Sequence, residues 1–144
     1  MKPSETNARH LLLPVVFALA LAGCVDPRGT QSVVQTGPTT LQAVQTTIFS
    51  TRCATSGCHV AGAPFGLDLR NGMTAGNTIG VPSAELQGFN RVTPFDAANS
   101  YLYMKIVGDT RINGDQMPSP QQPPLLTAAQ MQLVADWIDA GALE

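Results

Sequence analysis

The chain has 144 residues, enough for one modest hydrophobic core, and its 13 glycines and 11 prolines beside only 12% charged residues suit one small domain with long loops. The formal net charge is −2, and no stretch gathers Lys or Arg into a stripe that could neutralise phosphates. Nucleic acid is therefore not an expected partner.

At the N-terminus, Lys2, Arg9 and His10 precede an apolar run from Leu11 to Ala22 that ends at Leu21-Ala22-Gly23-Cys24. As a helix this run would reach only ~18 Å, short of the ~30 Å of hydrocarbon in a bilayer, so it reads as an export signal. The Leu-Ala-Gly-Cys end resembles the lipobox of bacterial lipoproteins. That resemblance implies a signal peptide over residues 1–23, cleavage before Cys24 and lipid attached to Cys24. A membrane partner through that anchor is then expected, with the chain held in the bacterial cell envelope and facing the periplasm.

Losing residues 1–23 removes Lys2, Arg9, Glu5 and His10, leaving six basic and nine acidic side chains and a single histidine, His59. It also leaves Cys53 and Cys58 as the cysteines of the domain. In an oxidising compartment two thiols are expected to be bonded, either to each other or to a third group.

Residues 24–38 are rich in Gln, Thr, Ser, Pro and Gly without apolar periodicity, and are expected to be a flexible tether. The domain is expected over 39–144. Thr39-Thr40-Leu41-Gln42 has capping-box form, and Leu41, Val44, Ile48 and Phe49 share a helical face, which predicts a helix from about 40 to 52 running into Cys53. From Val60 to Asn99 the Gly and Pro content predicts mostly loop, with short extended pieces near 66–69 and 91–92. A loop of that length needs something in the interior to pack on, and a buried prosthetic group would supply it.

Asn99 or Ser100 can cap a short helix over Tyr101–Val107 that stops at Gly108. The prolines in Met117-Pro118-Ser119-Pro120-Gln121-Gln122-Pro123-Pro124 exclude regular structure and stiff the segment. Thr127-Ala128-Ala129-Gln130 is a second capping box. The stripe Met131, Val134, Trp137 and Ile138 that follows predicts an amphipathic helix closed by Gly141, with Trp137 buried against the first helix and Phe49.

Cys53-Ala54-Thr55-Ser56-Gly57-Cys58-His59 has the form of a c-type haem attachment motif, with four residues between the cysteines in place of the usual two. Two thiols add across the vinyl groups of the porphyrin, and a histidine directly after the second cysteine is held within reach of the iron. The small side chains between them, with Gly57, let the extra residues bulge. With one histidine present, the second axial ligand is expected to be a methionine. Met104 and Met131 fall within predicted helices and are read as core; Met73, in a Gly-rich loop, is the alternative; Met117, in the Pro-stiffened loop, is the expected ligand.

The order of elements over residues 40–143 resembles small single-haem cytochrome c domains, in particular envelope-lipoprotein domains with a Cys-x-x-x-x-Cys-His motif. The resemblance implies an all-α, cytochrome c-like fold of about three short helices with long Gly/Pro-rich loops around a haem pocket. It also implies one haem c, with Cys53 and Cys58 as thioether anchors, His59 as proximal and Met117 as distal iron ligand. The function implied is electron transfer without substrate turnover, to a redox partner protein. Phe49, Leu67, Leu102, Ile106 and Trp137 are expected to form the apolar wall. Arg70 and Arg91 are read as surface arginines, with pairing to a haem propionate as the alternative. The rival reading is a haem-free lipoprotein with a Cys53–Cys58 disulfide and a structural or interaction role. Blue copper needs two histidines and structural zinc normally four Cys/His ligands, so neither is expected.

Overall fold

Leu41, Val44, Ile48 and Phe49 recur on one helical face, and the chain winds there into its first helix, α1. It begins as an α-helix over Leu41–Val44 and continues as a π-helix over Gln45–Cys53. The computed structural model describes residues 39–121 and 124–144, all within one compact unit. The proposed signal peptide, Cys24 and the tether over 24–38 lie outside the described residues.

The helix starts one residue later than the Thr39 capping box predicts. Thr40 is the N-cap and makes no side-chain cap bond. The first amide is satisfied from the far end of the chain instead, because Leu41 N–H donates to Leu143 O at 2.8 Å. The π-helical register ends with Ala54 N–H donating to Phe49 O at 2.7 Å, five residues back. Thr46 and Thr51 turn their hydroxyls onto Gln42 O and Thr47 O, each at 2.9 Å, a local competition with the backbone ladder.

Three further helices follow: α2 over Thr74–Thr78, α3 over Tyr101–Val107 and α4 over Ala128–Asp139. The described part is thus mostly helical with four helices, one more than the periodicity predicts. No strand occurs among the described residues, only isolated bridges such as Ile79–Val92 and Asn90–Ser100. In the segment 66–69, Gly66 ends a 3-10 turn over Pro64–Gly66 and Leu67 is extended, without a strand partner among the described residues. The unpredicted helix α2, Thr-Ala-Gly-Asn-Thr, has no apolar period and is held by tertiary bonds: Thr74 Oγ1 donates to Gln45 Oε1 at 2.6 Å, and Gln45 Nε2 donates to Leu69 O at 2.9 Å.

Helix α4 carries the strongest local signals. Thr127 and Gln130 form a reciprocal capping box. At the other end Gly141, at φ 102°, follows the C-cap Ala140; Gly141 N–H bonds to Ile138 O and Ala142 N–H to Trp137 O, a Schellman closure. The apolar face of α4 packs on α1 and α3. Trp137 is fully buried and meets Phe49 edge-on, with ring centroids 6.0 Å apart at 79°. Its indole N–H donates to Leu143 O at 3.0 Å, so the core holds no unsatisfied polar group there. Burying Phe49 and Ile48 contributes about 1.5–3 kcal/mol each, and the larger Trp137 lies in the same core.

Candidate functional site

A cleft of about 270 Å³ opens where the end of α1, the loop after it, α3 and the Met117 loop come together. Its size lies near the lower end of the ~300–1,000 Å³ range of small-molecule sites. Cys53, Cys58, His59 and Met117 all line it, although 64 positions separate the first from the last. Apolar side chains form most of the remaining wall, among them Phe49, Leu67, Leu69, Leu102 and Ile106.

Each of these positions follows from local structure. Cys53 is the last residue of the π-helix, and its carbonyl accepts from His59 N–H at 3.0 Å, which closes the chain 53–59 into a tight loop. Gly57, at φ 79°, and the Cys58 N–H bond to Thr55 O turn the chain inside that loop. His59 is then pinned on both sides. Leu69 N–H donates to His59 O at 3.0 Å, and the His59 ring lies with Nδ1 3.2 Å from Leu67 O. A carbonyl can only accept, so this contact places the proton on Nδ1 and leaves the Nε2 lone pair available as a ligand.

The electrostatics suit a neutral imidazole. Burial lowers the His59 pKa below its ordinary value, opposed in part by the Leu67 carbonyl and by Glu85. Burial pushes the Cys53 thiol up to about 12; Arg52 works against this rise, while Cys58 adds to it. Both cysteines are half-buried and neither belongs to a disulfide. Among the described residues no three His, Cys, Asp or Glu side chains converge on a point that could hold a metal ion, so the two thiols and His59 do not make such a cluster. The cleft thus brings one imidazole, one thioether and two thiols together against an apolar wall.

The four methionines of the described part separate cleanly. Met104 is buried in the core, Met131 packs against it, Met73 is 44% exposed and away from the cleft, and Met117 lines it. Trp137 does not form part of the wall; it stands behind Phe49, in the core. Arg70 lies outside both cavities and chelates Asp68, with Nη2 2.6 Å from Oδ2. Arg91 is not a plain surface residue. It donates to Asn77 O at 2.8 Å and to Phe65 O at 2.5 Å, tying the 64–66 turn to the body and lining a second cavity of about 40 Å³ beside His59.

Sequence reasoning missed Lys105 and Glu85. Lys105 is 8% exposed, lines the cleft, donates to Asn113 O at 2.8 Å and stands 3.9 Å from Glu85, which lines both cavities. The signal was present in α3: Lys105 follows Leu102 at i+3, on the same face as the apolar residues. Phe65 was missed too. It is 62% exposed on the rim, in a turn that forces a left-handed φ of 57°. Compared with known proteins, the chain matches no family model, no curated protein and no solved structure.

Proposed function

We propose that this domain is a c-type cytochrome-like electron carrier that holds one haem in the cleft between α1, α3 and the Met117 loop. One observation carries the reading: Cys53, Cys58, His59 and Met117, the residues a haem c site requires, line a single apolar cleft. In this reading Cys53 and Cys58 are the thioether anchors, His59 donates Nε2 and Met117 donates its sulfur. The bound iron would supply a one-electron couple, with a His/Met pair raising its potential relative to two histidines.

The work of the chain itself is to bind, orient and exclude water. The Leu67 carbonyl holds the His59 ring in one tautomer and increases its basicity as a ligand. Phe49, Leu102 and Ile106 provide a wall of low polarity. The Pro118 ring and the bond from Met117 N–H to Lys105 O at 2.7 Å fix the loop that carries the sulfur. The proposed setting is the periplasmic side of a bacterial envelope, with Cys24 as lipid anchor and a protein as redox partner.

A second reading rests on the proximity of the two thiols across the 53–59 loop, where Cys58 adds to the rise at Cys53. A disulfide between them would make the domain a haem-free envelope lipoprotein with a structural or interaction role. Production in a host with haem-maturation genes separates the two. A pyridine haemochrome spectrum showing one haem per chain supports the carrier, and protein without haem or with both thiols lost to a disulfide contradicts it.

A further inference from the structure

We propose that Gln116 is the positioning residue for Met117, acting by closing the open end of α3. This inference rests on the reading of Met117 as an iron ligand. A helix leaves its last carbonyls without intrahelical partners, and they must be satisfied from outside. At the end of α3, Met104 O accepts from Gly108 N–H and from Asp109 N–H, the latter at 3.0 Å. The next two carbonyls are taken by the Met117 loop. Lys105 O accepts from Met117 N–H at 2.7 Å, and Ile106 O accepts from Gln116 Nε2 at 2.8 Å.

These two bonds come from adjacent residues and grip adjacent carbonyls, so they form a two-point latch. One bond alone would let the loop pivot about it; the second removes that freedom, and the side chain of Met117 goes where the latch directs it. Lys105 and Ile106 also line the cleft, so the latch registers the sulfur-bearing residue directly to the cleft wall. The space for the Gln116 side chain is provided by Gly108. A Cβ at Gly108 would lie 3.0 Å from Gln116 Oε1 and 3.1 Å from its Cδ, and the backbone there is left-handed at φ 71°. The glycine that ends α3 is thus also the floor on which Gln116 lies.

Gln116 is half-buried and its side chain is not part of the hydrophobic core, so its replacement removes a bond without opening a cavity there. In haem-free protein, Gln116→Leu removes the donor and keeps the bulk. The expected result is amide exchange at Met117 about fivefold to tenfold faster than in the wild type, the factor that the loss of one neutral hydrogen bond corresponds to. In haem-loaded protein, the same variant and Gln116→Glu are expected to weaken the ferric sulfur-to-iron charge-transfer band and lower the reduction potential, with the haem-free domain still unfolding in one cooperative transition and losing no more stability than one hydrogen bond supplies. Unchanged protection at Met117 overturns the proposal, and so does a band at full wild-type intensity when that protection is lost. A wild-type protein that binds haem but shows no such band contradicts Met117 ligation instead, and the exchange result alone then decides whether Gln116 fixes the loop.

Discussion

The two halves of this small domain are stabilised in opposite ways. Where α1 meets α4, side chains fill one another's space: Phe49, Ile48, Val134, Trp137 and Ile138 are all fully buried, and the indole N–H is capped by Leu143 O. Around the cleft, the chain from Ala54 to Leu69 and from Asp109 to Gln121 is loop, held chiefly by hydrogen bonds to backbone carbonyls such as Cys53 O, His59 O, Lys105 O and Ile106 O. Leu69 in the first of these loops is buried in the core and Leu67 packs against it, and both also line the cleft. The contrast teaches that scaffold and site share a wall, in Phe49 and Leu69, and differ in how the rest is held: packing builds the scaffold, and hydrogen bonds aim the residues proposed as ligands.

The sharpest way to break that comparison is Trp137→Ala. It removes the largest fully buried side chain, and the expected loss is about 3–5 kcal/mol in urea unfolding, with or without haem. Were the cleft half to carry the stability, the loss would be far smaller.

Gln45→Leu acts where the two halves join. Gln45 is 2% exposed and bridges α1 to α2 and to Leu69 O. Its loss strands the Leu69 carbonyl and leaves the Thr74 hydroxyl only its longer bond to Arg70 O, at an expected cost of about 1–3 kcal/mol by the same measurement. Local exchange at residues 67–78 should rise with it.

Cys53 gives a pH-dependent version. The folded thiol keeps its proton to about pH 12, against an ordinary value of 9.0, so the unfolded chain releases a proton that the folded one retains. Its contribution to stability is therefore complete below about pH 9 and is lost as pH rises from there towards 12. In haem-free reduced protein, the urea midpoint of the wild type should fall more steeply over that range than that of Cys53→Ser. Parallel curves would show that the thiol is not buried.

The smallest effect on the scaffold is expected from His59→Ala. The ring is half-buried with one bond to Leu67 O, so haem-free stability should change by about 1 kcal/mol or less. The same variant should abolish the proposed iron coordination, seen as loss of the low-spin absorption spectrum.

Much of the scaffold was legible in the sequence because it is built from local rules. The Thr127–Gln130 box, the stripe ending at Ile138 and Gly141 outline α4, and Gly108 stops α3 where a left-handed residue is needed. What was not legible depends on distant partners. Helix α2 has no apolar period and exists through Gln45 and Thr74, 29 positions apart. The π-helical register of α1 is a matter of backbone bonding that hydrophobic spacing does not report. Around the cleft, Cys53, Cys58 and His59 were readable as a motif and Met117 by comparing methionines. The bonds that Arg91, Lys105 and Gln116 make were not, since they go to the carbonyls of residues brought near only by the fold, although Lys105 stands on the apolar face of α3 in the sequence itself.

The most direct test of the central claim, that one haem is attached through Cys53 and Cys58, is the mass of a single peptide. Cleavage after Arg52 and Arg70 releases residues 53–70, which contain both cysteines and His59. In protein made with haem-maturation genes, the account predicts this peptide heavier by one haem, with both sulfurs bonded to it and neither open to alkylation. A peptide of bare sequence mass, or one lighter by two hydrogens through a Cys53–Cys58 disulfide, would contradict it.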